Sequence, residues 1–272
     1  MARINVRARS SEDAHDGPPV TDEDLQRSFL IDALAPKRGE AILDLGCGTG
    51  AEMKQILSLR RGITVVGLDH SETMLREARA RLSRHLKRGT VTLVAGDAGK
   101  RLPFPSDSFD AVFSAELMEC VPATKQVGLL REIRRVLKPG GRVLIEHTDW
   151  DTQVWNASDK ALERKLVHAF CDWTQGWMET SDGWMGRRLV GLFRRSKLFT
   201  GITACAYVLI NDRYKPGTYG YARSQDLLEL ARKTRGARLA DARRFIRDLE
   251  RHDRARSYFY SVTRYLVMAR AR

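Results

Sequence analysis

The sequence predicts an α/β fold: a mostly parallel sheet of seven strands, with helices crossing its faces and an antiparallel hairpin at its end. Three observations carry this. Short apolar or β-branched runs alternate with helical stripes from Ala41 to Glu146, and the crossovers between them are long enough for parallel pairing. The first run leads into Leu45-Gly46-Cys47-Gly48-Thr49-Gly50, a loop with glycine at every second position that opens a helix. Two more strand-like runs, Thr200 to Ile210 and Tyr258 to Met268, flank a polar helical stretch near the C-terminus.

At 272 residues, 43% hydrophobic and 30% charged, the chain suits one large domain with insertions. Residues 1–20 carry arginines but no apolar core and read as a disordered tail, which leaves 21–272 as the domain. Asp22 to Leu34 reads as a helix, with Thr21 as N-cap and Leu25, Phe29, Leu30 and Ala33 on one stripe. Ala41 to Leu45 is the first strand, and Ala51 to Leu59 the helix after the glycine loop. Glycine there removes the Cβ that holds a ligand off the backbone, and amides at a helix start favour an anion, so the loop is a cofactor cradle. Ile63 to Asp69 is a second strand, closing on an acid placed for ribose hydroxyls. Ser71 caps a helix with Met74, Leu75, Ala78, Leu82 and Leu86 at helical spacing. Val91 to Ala95 precedes Gly96-Asp97-Ala98, and a proline-bearing loop feeds a fourth strand that ends at Ser114-Ala115-Glu116-Leu117. A stripe of Val127, Leu130, Ile133 and Leu137 is then broken by Lys138-Pro139-Gly140-Gly141 before a fifth strand, Arg142 to Glu146.

Gly46, Gly48 and Ala51 fit the relaxed dinucleotide pattern G-x-G-x-x-A, with Asp69 beyond it. A dinucleotide has no need of Asp44, two residues before the first glycine, whereas a ligand with an ammonium group does. The full string from Leu43 to Gly50 resembles motif I of class I S-adenosylmethionine (SAM)-dependent methyltransferases. Gly96-Asp97-Ala98 resembles that family's third motif, and Pro103-Phe104 followed by Phe109-Asp110 is similar to its pre-strand pattern. The resemblance spans about residues 41–147 and is to the quinone-biosynthesis and natural-product type that acts on small molecules. It implies a Rossmann-like sheet and SAM as cofactor, with S-adenosylhomocysteine as product. It further implies a cofactor set of Asp44, Gly46, Cys47, Gly48, Gly50, Asp69, His70, Met74, Asp97, Ala98, Ser114 and Ala115. In that set Asp69 takes the ribose, Asp97 the adenine amino group and Met74 the adenine face.

All five tryptophans, Trp150, Trp155, Trp173, Trp177 and Trp184, fall within 35 residues after the fifth strand. Ser158 or Asn156 caps a helix with Leu162, Leu166, Val167, Phe170 and Trp173 on one face. Insertions over about 150–185 and 211–256 then form a substrate cap. Two readings stand for the tryptophans: they glue this layer to the sheet, or they wall a pocket for an apolar, aromatic or cationic small molecule. The substrate-binding candidates are Phe29, Glu116, His147, Trp150, Trp155, Trp173, Trp177 and Tyr219. Methyl transfer is an in-line displacement in which the protein aligns the acceptor and excludes water, with no metal required. An acceptor that arrives protonated needs a base, for which the candidates are His147, with a pKa near neutrality, and Glu116. Asp149 is an alternative ligand for an acceptor amine.

The formal net charge is +13, of which +8 falls in residues 223–272, where 14 Lys or Arg face 6 Asp or Glu. Acids interleave with these arginines on helical faces, which reads as solvated surface rather than a nucleic-acid interface. No Asn-Pro-Pro-Tyr type motif follows the fourth strand, which also argues against nucleic-acid methylation. The four cysteines form no C-x-x-C pair, and no run reaches the roughly 20 apolar residues of a membrane span. The expectation is a cytoplasmic monomer or homodimer that methylates an oxygen or nitrogen of a small molecule. Carbon methylation of an activated ring is the nearest rival; a non-catalytic SAM-binding subunit and an NAD-dependent oxidoreductase are the others.

Overall fold

The computed structural model describes residues 22–59, 61–176 and 178–272. The expected tail over 1–20, the Thr21 cap, the Leu25 side chain and Trp177 lie outside what is described. Helix α1 (Asp22–Leu34) is followed by β1 (Ala41–Leu45), α2 (Ala51–Leu59), β2 (Thr64–Asp69), α3 (Glu72–Arg81), α4 (Ser83–Lys87) and β3 (Val91–Ala95). Then come β4 (Phe109–Ala115), a 3-10 turn (Met118–Cys120), α5 (Ala123–Val136), β5 (Leu137–Trp155) and α6 (Lys160–Cys171). The chain ends with α7 (Met185–Ser196), β6 (Phe199–Asn211), α8 (Tyr219–Lys233), α9 (Leu239–Arg254) and β7 (Tyr260–Ala271).

The strands form one sheet in the order β3-β2-β1-β4-β5-β7-β6, parallel from β3 to β5 and antiparallel where β7 joins β5 and β6. This is the Rossmann-like sheet with a terminal hairpin that the sequence predicts. Side chains alternate between its faces with period two. Val112, Val143 and Ile145 face α5 and α7, where Leu130, Ile133, Leu189 and Phe193 meet them. Phe113 and Leu144 face α1 and α2, against Leu30, Ile31, Met53 and Ile56. A further core gathers Leu166 and Phe170 of α6, Leu227 of α8 and Phe245 of α9 over Trp150, Trp155, Tyr260 and Val262 at the sheet's end.

Three expectations need correction. The fifth strand does not stop at Glu146: β5 pairs with β7 through Asp149 and again at Val154 and Trp155, so the helical layer begins after Trp155. The N-cap of α6 is Asp159, whose carboxylate accepts the Leu162 N–H at 3.0 Å, because the Asn156 amide and the Ser158 hydroxyl are spent on Ser257 and Asp248. The helix after Ser71 breaks at Leu82, whose φ −101° and ψ 13° leave the helical region and split it into α3 and α4.

Candidate active site

Strand β1 delivers the chain into the glycine loop, where Gly46, Gly48 and Gly50 all have positive φ, at 79°, 49° and 70°. The Gly46 and Cys47 amides donate to Leu68 O at 2.8 and 3.0 Å, tying the loop to β2. A Cβ on Gly50 would lie 2.7 Å from Leu82 Cδ1, and one on Gly46 would lie 3.2 Å from Leu117 Cδ1; one on Gly48 meets nothing within 4 Å. Gly46 and Gly50 therefore serve packing, and Gly48 faces open space. Asp69, at the end of β2, accepts the Gly48 N–H and the Ser71 N–H at 2.8 Å each. It holds the loop and the start of α3 together while lone pairs remain on both oxygens for a ligand diol.

Asp44 is 2% exposed, and its Oδ2 is buried with no hydrogen-bond partner. Burial, with the Glu52 and Asp69 charges added, pushes its carboxyl well above the usual carboxylate range. Such an atom suits an arriving ammonium donor. Cys47 is buried, its thiol pushed up by burial and by the Asp44 and Asp69 charges, so its contribution to the loop is backbone. His70 is exposed with Nδ1 3.7 Å from Asp69 Oδ1, and Met74 is half-exposed on α3. Asp97 accepts the Gly99 N–H at 2.7 Å, while Ala98 is buried in the core beneath. The Ser114 hydroxyl donates to Leu45 O at 2.7 Å, stitching β4 to β1, and Ala115 is half-buried beside it.

Beyond Ala115 lies a second group of side chains. Glu116 is held in left-handed backbone, φ 57°, which a non-glycine residue adopts only when its surroundings impose it. Its Oε1 accepts from the Thr148 amide at 3.2 Å and from the Thr148 hydroxyl, and lies 3.1 Å from Arg264 Nη1. Its Oε2 is 3.3 Å from His147 Nδ1 yet has no aligned hydrogen bond. Burial pushes the Glu116 carboxyl up, but the His147 and Arg264 charges and the Thr148 bonds outweigh it and leave it below its usual range. His147 is fully buried, with Nδ1 2.9 Å from Thr148 O and Nε2 4.0 Å from Glu119 Oε2. Burial disfavours its cation, but the Glu116 and Glu119 charges prevail and raise its pKa. One ligand-type atom from each of Glu116, Glu119 and His147 lies within 4.8 Å of the others, and the Glu119 N–H points at His147 Nε2 at 3.4 Å.

The structure does not bring every candidate here. Asp149 is fully buried and bound through both carboxylate oxygens to Arg187 of α7, so it braces β5 against that helix. Trp155 packs against Phe245 and Tyr260, and Trp173 against Phe170, all inside the core under α6, α8 and α9. Phe29 stacks on Tyr207 of β6 at 5.4 Å. Trp150 and Tyr219 do reach the second group. Their rings are parallel within 3° at 6.5 Å, and Trp150 Nε1–H donates to Glu119 Oε2 at 3.0 Å.

Four participants were missed in the sequence. Glu119 and Glu146 are buried acids, each pushed up to about 7, chiefly by burial. Arg264 of β7 is 4% exposed and touches Glu116 and Glu146 through Nη1. Arg223 of α8 lies over the Trp150 and Tyr219 rings at 5.7 and 5.0 Å. The available signal was Arg264 itself, a charge at an inward position of the alternating run Tyr260, Val262, Arg264, Leu266.

The glycine loop at the end of β1, Asp69 at the end of β2 and the orphaned Asp44 Oδ2 thus lie together at one edge of a Rossmann-like sheet. Residues 42–141 match a family model described as a methyltransferase domain. A 37.1 kDa protein of transposon TN4556 from Streptomyces fradiae is 30% identical over 249 residues, covering 90% of this chain and 66% of its own. A demethylmenaquinone methyltransferase of Tropheryma whipplei is 39% identical over 128 residues, 43% of this chain and 49% of its own. The YcgJ protein of Bacillus subtilis shares the fold, with a TM-score of 0.58 and 18% identity over 91% of this chain and 98% of its own. The chain spans about half to two thirds of the length of these curated relatives. Over residues 42–141 the chain carries a methyltransferase domain, and in that region it is similar to curated methyltransferases.

Proposed function

We propose that the protein methylates an oxygen or nitrogen atom of a small-molecule acceptor seated between the glycine cradle and the layer formed by α6, α8 and α9. SAM, when bound, supplies an electrophilic methyl group on a sulfonium. Asp44 would hold its ammonium, Asp69 its ribose and Asp97 its adenine amino group, as the family motif implies. The observation that carries the acceptor side is Glu116: a carboxyl just beyond β4, held below its usual range, with a buried Oε2 that makes no hydrogen bond and lies 3.3 Å from His147 Nδ1, beside the stacked Trp150 and Tyr219. Glu116 is then the base or acceptor ligand. His147 and Arg264 position it, since His147 sits between carboxylates with no exposed surface.

Carbon methylation is the second reading, favoured by the relatives named demethylmenaquinone methyltransferase and sterol 24-C-methyltransferase. Calorimetric titration with S-adenosylhomocysteine, followed by methyl-labelled SAM and a panel of amines, phenols and quinols, tests both. Label on amines or phenols that disappears with Glu116→Gln supports the first. Label on a ring carbon selects the second, and no S-adenosylhomocysteine binding removes both. Among the described residues no helix is long and apolar enough to cross a membrane.

A further inference from the structure

Among the described residues, several buried side-chain atoms without hydrogen-bond partners lie close together. Besides Asp44 Oδ2 in the cradle, four of them belong to one neighbourhood: Glu116 Oε2, Glu146 Oε2, Arg223 Nε and Arg264 Nε. Glu146 is 1% exposed and Arg264 4%, so solvent does not satisfy them. An orphan of this kind is costly, more so when charged, and a fold retains several in one place when a ligand supplies the missing partners. The orphans are of two kinds. The two acids share Arg264 Nη1, at 3.1 Å from Glu116 and 3.2 Å from Glu146; Glu146 Oε2 has no hydrogen bond, and neither has Glu116 Oε2, whose nearest charged neighbour is His147 Nδ1 at 3.3 Å. The two guanidiniums flank the Tyr219 ring at 5.0 and 5.1 Å, and each keeps an Nε–H for an acceptor. Arg223 meets Asp226 through Nη2 at 3.1 Å, which leaves that Nε unengaged.

Resting on the methyltransferase reading, we infer that the acceptor is a zwitterion: an amine whose ammonium faces Glu116 and Glu146, joined over a few bonds to a carboxylate or phosphate that faces Arg223 and Arg264. An acceptor with only a cation leaves the arginine Nε–H groups orphaned, and one with only an anion leaves both carboxylate oxygens so. Charge-assisted bonds of this kind are about twice as strong as neutral ones and set orientation as well as affinity. The same arrangement places the amine, rather than the anion, on the cradle side, because Glu116 follows directly on β4 and precedes Leu117, the side chain that packs on Gly46.

The test uses the full chain saturated with S-adenosylhomocysteine and titrated calorimetrically. Phenylalanine is compared with phenethylamine and 3-phenylpropanoate, which each lack one of its charges. Phosphoethanolamine is compared with ethanolamine and inorganic phosphate, so that the two arms separate a carboxylate from a phosphate. The expected result is that at least one zwitterion binds about tenfold or more tightly than both of its singly charged analogues. Arg223→Met should then bring the zwitterion down to the level of the amine-only probe, and Glu116→Gln to that of the anion-only probe, with S-adenosylhomocysteine affinity unchanged in both. Single-charge probes that bind as tightly as the zwitterions, failure of both zwitterions to bind, or a preference that survives both substitutions overturns the inference. Failure of the wild-type chain to bind S-adenosylhomocysteine is a separate outcome that overturns the methyltransferase reading and this inference with it.

Discussion

Gly48 and Gly50 are two residues apart in one loop, and their surroundings assign them different roles. Both have positive φ, a region that costs an L-residue roughly 1–2 kcal/mol. The space beyond a Cβ on Gly50 is filled by Leu82, whereas that beyond Gly48 is open. Gly50→Val, strained and overpacked, should therefore lower the melting temperature more than Gly48→Val, which carries the backbone strain alone, whereas Gly48→Val should weaken S-adenosylhomocysteine binding by about tenfold or more. Calorimetry and thermal denaturation on the pair separate the two effects, and equal behaviour of the variants would mean that the open side of Gly48 is not the cradle. Glu146 carries a prediction about pH. Its folded carboxyl is pushed up to about 7 by burial, against about 4.3 in an unfolded chain, so the folded state binds the proton more tightly. The stability this gives is complete below about pH 4.3 and is lost as pH rises towards about 7. Denaturant melts of wild type and Glu146→Gln from about pH 5 to 8 should show the wild type losing stability relative to the variant as pH rises. Parallel curves would count against a buried, raised carboxyl.

At the level of elements, much was legible because hydrophobic period and turn chemistry are local. The strand ending at Asp69, the Ser71 cap with its bond to the Met74 amide, and the positive-φ glycines were written in a few adjacent residues. What was not legible depends on partners far along the chain. Strand β5 outruns its apolar stretch because β7 supplies hydrogen-bond partners as far as Trp155, and no residue near Trp155 announces Tyr260. The acceptor-side group is equally non-local: Glu116, Glu146, Tyr219 and Arg264 converge only once the antiparallel hairpin closes. The helical layer over the sheet end is held by aromatic packing, with Phe245 of α9 edge-on to Trp155 at 5.6 Å and fully buried. Phe245→Ala should cost about 3–5 kcal/mol in denaturant unfolding, since the site cannot collapse around the lost ring. S-adenosylhomocysteine affinity should be unchanged, because that core does not include the cradle; a loss below about 1 kcal/mol would show that α9 is not held by this packing.

For the whole molecule the open question is the net charge of +13, the one property that favours a nucleic-acid acceptor over a small molecule. A duplex is bound through phosphate contacts that release counterions, so such binding falls steeply with salt, and it needs a face of cations free of neighbouring acids. Many of the C-terminal cations here already meet acids: Lys233 with Glu229 at 2.6 Å, Arg238 with Asp241 at 3.1 Å, Arg251 with Asp248 at 2.7 Å and Arg244 with Asp159 at 3.2 Å. These pairs are mostly exposed and add little to stability, but each cancels most of the field its cation would project beyond a Debye length of about 8–10 Å. The excess charge should therefore give weak, non-specific attraction. With a 20-base-pair DNA duplex, binding measured by fluorescence anisotropy should fall more than about tenfold between roughly 50 and 200 mM salt and should be indifferent to S-adenosylhomocysteine. Binding that persists at the higher salt and tightens with S-adenosylhomocysteine would couple the duplex to the cradle, and would move the acceptor from a small molecule to a nucleic acid.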